Sequence, residues 1–136
     1  MNALVMHTLA VIVGTSLGLL INIWLIISGS QLIPLPDGVD PMDADGIKDH
    51  LHLFNIQHFI VPFLAHAAGT FAGAFAAAII SASYHRTFAI AIAIMFLVGG
   101  IAVAFHPGGP SWFITLDLVL AYLPMRWLGW TLSRTP

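Results

Sequence analysis

The chain has 136 residues, 59% of them hydrophobic and 7% charged, against roughly 25% charge in a soluble domain, so water cannot be the solvent around most of its surface. A net charge of -2 with only four scattered basic residues, Lys48, Arg86, Arg126 and Arg134, leaves no electrostatic footprint for nucleic acid. Cysteine is absent, which removes disulfides, thiol catalysis, iron–sulfur clusters and thiolate metal sites.

Four apolar blocks, residues 4–28, 54–81, 88–105 and 112–132, carry most of the chain. Each reaches the length a helix needs to cross a bilayer core, about 20 residues. The expectation is a single all-α domain, a four-transmembrane-helix bundle with both termini on the same side. The first block has no Lys or Arg ahead of it and no Ala-x-Ala-like site after it, so it reads as a permanent helix rather than a signal peptide.

The first helix is predicted over residues 4–29. Gly14 and Gly18 form a G-x-x-x-G step that Asn22 extends by four. In lipid, small residues at this spacing let two backbones approach closely. Packing inside the bundle is favoured over a homodimer seam. Residues 30–45 form the one substantial loop, where Pro34, Pro36 and Pro41 forbid a regular helix and Pro36-Asp37-Gly38 signals a turn. Its acids lack the order of a calcium-binding loop and read as a solvated surface.

The second helix is predicted over residues 46–84, capped by Asp45 and kinked at Pro62. Ala65, Gly69, Gly73 and Ala77 place a small residue every four positions, a second close-packing stripe. A tight turn leads to a third helix over residues 88–105. His106-Pro-Gly-Gly-Pro110 breaks the chain, and a fourth helix is predicted over residues 111–132 with Ser111 as its cap. Arg86, Arg126 and Arg134 fall on the side of the termini and only Lys48 opposite, so the termini are expected to be cytoplasmic. Trp112 then sits at the outer interface, with Trp127 and Trp130 at the inner one.

Seven histidines in so small an apolar chain draw attention, because ionisable groups within a span are costly and face the bundle interior. At 100° per residue, helices one, two and four each offer polar groups at comparable depth. The expected cluster is Asn22, His58, His66 and Asp117 in the outer half, with His50, His52 and His106 at the outer rim. Three readings follow. The first is structural: Asp117 bonds a histidine and locks helix register, in a non-catalytic bundle or complex subunit. The second is a metal or haem site through His58, His66 and Asp117, since imidazole and carboxylate suit divalent transition metals and haem needs one or two axial groups. The third is a proton or small-solute path, which an Asp–His pair can serve. An enzyme is not favoured, because Ser16, Ser28 and Thr70 lack evident triad partners.

Taken together, Ser28-Gly-Ser30 with the Pro-Leu-Pro loop, His52-Leu-Phe54, His58-Phe-Ile, Pro62-Phe-Leu-Ala-His66, Gly69-Thr70, Gly73-Ala-Phe75, Leu116-Asp-Leu118 and Ala121-Tyr-Leu-Pro124 resemble a family of small uncharacterised bacterial four-helix integral membrane proteins. The resemblance covers nearly the whole chain and implies a multi-pass protein of the bacterial inner membrane. A looser, architectural similarity is to membrane styrene oxide isomerase, which implies a haem between subunits. The expected partners are the lipid bilayer and either a homo-oligomer or a membrane-complex partner.

Overall fold

The computed structural model describes residues 2–134, and every regular element among them is helical. Helix α1 spans Ala3–Leu32, about 45 Å at 1.5 Å per residue. The Asn2 side chain caps it by accepting the Leu4 N–H at 3.1 Å. The helix runs past Gly29 and stops at Leu32, because the residue before Pro34 disfavours the helical region.

The helix expected over residues 46–84 is divided. A short helix α2 spans Ala44–His50, and its cap is Asp43, not Asp45: the Asp43 carboxylate accepts the Asp45 N–H at 3.1 Å. Two single 3-10 turns, Leu51–Leu53 and Ile56–Phe59, flank an extended Phe54-Asn55 step. Helix α3 then spans Ile60–Ile80. Pro62 explains where it starts. A proline ring collides with the carbonyl four residues back and tolerates only the first helical turn, so a regular helix cannot run through His58 into Pro62. The residue expected to kink a helix marks its beginning.

Ser81 leaves α3 in an extended conformation, and Tyr84 takes a left-handed backbone (φ 58°) ahead of helix α4, His85–Phe105. Beyond the His106–Pro110 turn, helix α5 spans Ser111–Leu120 and helix α6 spans Leu123–Leu132. Pro110 takes the extended cap position and Ser111 becomes the first helical residue. The continuous helix expected over residues 111–132 is therefore broken at Ala121-Tyr122. The reason is again a proline, since Pro124 collides with the carbonyl of Leu120, the last residue of α5.

Three stretches, Ala3–Leu32, Ile56–Ile80 and His85–Phe105, are long and apolar enough to cross a membrane. Large apolar side chains lie exposed along the chain, among them Leu20, Trp24, Ile94, Val98 and Val119. Monomeric soluble proteins rarely show contiguous apolar surface on this scale. These features point to a membrane protein.

Helix α3 is the centre of the bundle, packed against α1, α4 and α6. Its seam with α1 is antiparallel and built from small residues. A Cβ at Gly14 would lie 2.8 Å from the Gly73 carbonyl oxygen, and one at Gly69 would lie 2.7 Å from that of Gly18. Ala10 and Ala77, one turn further along each helix, are fully buried in one cluster. The two small-residue stripes thus face each other. A further close approach joins α6 to α3, where a Cβ at Gly129 would lie 2.7 Å from the Phe71 carbonyl oxygen.

Gly69→Ala should therefore force the α1 and α3 backbones apart, at about 1–3 kcal/mol. Gly99→Ala, where a Cβ would meet open space, should change stability by no more than about 0.5 kcal/mol. Detergent unfolding titrations check this, and equal losses in the two variants would contradict the seam.

Candidate functional site

The centre of the site is Asp117, buried at 4% exposure on α5. Its carboxylate accepts the Nδ1–H of His66 at 3.0 Å from each oxygen and the Tyr122 hydroxyl at 3.1 Å. The His66 ring also stacks on Tyr122, with centroids 6.0 Å apart. The Thr70 hydroxyl donates to the His66 carbonyl at 2.8 Å, so the backbone below His66 is held as well as the ring. A buried carboxylate needs such donors, because an isolated charge in an apolar interior is prohibitively expensive.

Tyr122 was not among the expected site residues. In an unbroken helix, residues five apart lie 140° apart around the axis at 100° per residue, which would point Tyr122 away from Asp117. The break imposed by Pro124 lets it return. The signal in the sequence was Pro124, two residues after a phenol that needs a partner. Gly100 on α4 makes room for the phenol: a Cβ there would run into the Tyr122 hydroxyl.

The remaining expected residues divide. His66 and Asp117 are bonded directly. Asn22, His58 and His66 line one cavity of about 270 Å³ with Phe54, Pro62 and Phe113. Asn22 and His66 also line a second cavity of about 330 Å³ with Thr15, Leu19, Met95 and Tyr122. His66 thus stands where two cavities adjoin. Since Asp117 occupies its Nδ1, the Nε2 edge is the polar edge left for the cavities. Among the described residues, Nε2 of His66 has no hydrogen-bond partner. The second cavity runs between α1 and α4, with the exposed Gly99 and Met95 at its margin.

His58 is buried, but its role is different. Its Nδ1 accepts the Asn55 N–H at 2.9 Å and so holds the turn that leads into α3. A neutral imidazole that accepts at Nδ1 carries its proton on Nε2. It then faces the cavity as a donor, without a lone pair for a metal.

The rim histidines are separately engaged. His50 Nδ1 donates to the Gly46 carbonyl at 2.7 Å within its own helix. His106 Nε2 lies 3.2 Å from an Asp45 oxygen in an exposed pair, which contributes little to stability while linking α2 to the end of α4. His52 is exposed. Among the described residues, no three His, Asp or Glu side chains converge as a metal-binding group. The expected trio of His58, His66 and Asp117 is not assembled: Asp117 orients His66, and His58 serves the turn.

What this arrangement offers chemically is one imidazole of fixed orientation and tautomer. A carboxylate behind a histidine fixes which nitrogen carries the proton. Here that leaves a lone pair on Nε2 of His66, a residue that lines both cavities. It can accept a hydrogen bond, take a proton, or coordinate a metal. Comparison with protein-family models, with curated proteins and with solved structures finds no match.

Tyr122→Phe should cost about 1 kcal/mol, the scale of one lost hydrogen bond. Asp117→Ala should cost roughly 2–4 kcal/mol, because it strands both the His66 N–H and the Tyr122 hydroxyl. Unfolding titrations of both variants check the order, and a larger loss in Tyr122→Phe would show that the carboxylate is not the hub.

Proposed function

We propose that this chain is a non-catalytic, multi-pass protein of the bacterial inner membrane. Its His66–Asp117–Tyr122 relay holds Nε2 of His66 ready for a small, largely apolar ligand with one hydrogen-bond donor. The observation that carries the reading is a cavity-lining histidine whose Nδ1 is fixed by a buried carboxylate. Purely structural glue needs no free edge and no adjoining space. Pockets for small ligands are typically apolar with a few convergent polar groups, and here Asn22, His58 and His66 are those groups. Entry is from the lipid, along the crevice between α1 and α4. The Thr70 and Tyr122 hydroxyls are engaged as donors to the His66 carbonyl and the Asp117 carboxylate, which argues against covalent catalysis through them.

The α5–α6 pair forms the fourth crossing in this reading, and both termini are cytoplasmic. Support comes from Arg86, Arg126 and Arg134 lying towards one end of the helices and the acids of residues 37–49 towards the other, by the positive-inside rule. A homo-oligomer or a membrane-complex partner would cover exposed helix faces without changing the cavity. A second reading assigns haem or a divalent transition metal to the same nitrogen, because a carboxylate-held histidine is the usual form of a metal-ligating imidazole.

Organic extraction of protein purified in mild detergent, followed by mass spectrometry, tests the first reading. A compound recovered near stoichiometrically from the wild type and lost in His66→Ala is the expected result; equal recovery from both would refute it. An absorption spectrum and metal analysis of the same sample separate the second reading. A Soret band or stoichiometric metal that disappears in His66→Ala would replace the apolar ligand with a cofactor.

For topology, alkaline-phosphatase fusions after Asp43 should be active and those after Arg86 inactive. The reverse pattern would invert the orientation.

A further inference from the structure

Arg86 and Arg134 meet at the end of the bundle where α3 turns into α4. The sequence has six acids: five lie within residues 37–49, and the sixth, Asp117, is committed to His66 and Tyr122. Among the described residues, no carboxylate pairs with Arg86, Arg126 or Arg134. Two of these guanidinium groups nevertheless share one aromatic ring. Arg86 lies 5.6 Å and Arg134 5.1 Å from the centroid of Trp130, both within cation–π range. Trp130 is itself fixed against Ala74, Ala78 and Ala89 of α3 and α4. Arg126, four residues before Trp130 and so on the same face of α6, has Nε and Nη1 buried with no partner. An arginine cannot shed its charge, and buried donors without acceptors are rare in native structures.

We propose that this arginine–tryptophan cluster binds the phosphate of an anionic phospholipid. The paired guanidinium groups over Trp130 would receive the headgroup, and the unsatisfied edge of Arg126 would receive a phosphate oxygen. The exposed Leu123 and Trp127 of α6 offer apolar surface for an acyl chain. Guanidinium groups suit this role because their forked donors match phosphate oxygens in pairs, and a tryptophan at the headgroup level is at home in both phases. The proposal rests on the membrane reading of the apolar helices and is independent of the cavity and its ligand.

The test is native mass spectrometry of the full chain, delipidated in neutral detergent and offered phosphatidylglycerol or phosphatidylcholine with the same acyl chains. Retention of phosphatidylglycerol should exceed that of phosphatidylcholine by roughly tenfold, the scale expected of two or so arginine contacts to an anionic headgroup. The double variant Arg86→Gln/Arg134→Gln, and separately Arg126→Gln, should reduce that ratio towards one while circular dichroism still shows a helical protein. If a variant does not fold, the wild-type ratio decides. Equal retention of the two lipids by the wild type overturns the proposal, as does an undiminished preference in folded variants. Displacement of phosphatidylglycerol by millimolar inorganic phosphate would assign the site to a free anion and overturn the lipid assignment.

Discussion

A carboxylate placed among apolar helices must be surrounded by donors, and much of the site follows from meeting that need at Asp117. Water is not at hand at that depth, so the donors come from side chains. His66 supplies one from α3 and Tyr122 another from beyond the α5–α6 break. Each donor is in turn held: His66 by the packing of α3 and stacking on Tyr122, Tyr122 by the room that Gly100 leaves. The result ties α3, α4, α5 and α6 to one point. The individual hydrogen bonds are weak, averaging about 0.6 kcal/mol in membrane proteins. Their cooperation around one buried charge is what fixes the geometry.

The remainder of the bundle is assembled by close approach of backbones. Lipid tails are as apolar as leucine, so helices in a bilayer gain little from hiding leucines from one another. Gly14, Gly18, Gly69 and Gly73 instead let α1 and α3 meet backbone to backbone, and Gly129 does the same between α6 and α3. Around His66 the seams leave space: Asn22, one turn beyond Gly18, borders both cavities. The polar site thus lies beside the α1–α3 seam, at an imidazole of fixed orientation.

Much of this was legible in the residues. The helical class followed from the length of the apolar blocks, and the small-residue stripes from their spacing of four. That His66 and Asp117 belong to one cluster followed from counting residues along two helices. The sequence misled where prolines act. Pro62 and Pro124 were read within continuous helices, whereas each excludes regular helix at the carbonyl four residues before it. That one effect moved the start of α3, divided the last helix, turned His58 into a capping residue and brought Tyr122 to Asp117. The close packing at Gly129 was missed for another reason: a single glycine on a short helix shows no repeat from which a seam could be inferred.

The central claim is that Asp117 fixes the proton of His66 on Nδ1 and leaves Nε2 bare, while the backbone of Asn55 imposes the opposite tautomer on His58. Nitrogen-15 NMR of histidine-labelled protein in lipid, recorded where the imidazoles are neutral, tests it most directly, with resonances assigned from single His66→Ala and His58→Ala samples. The account predicts a protonated Nδ1 and unprotonated Nε2 at His66, and the reverse at His58. A neutral His66 with its proton on Nε2 and Nδ1 bare would contradict it.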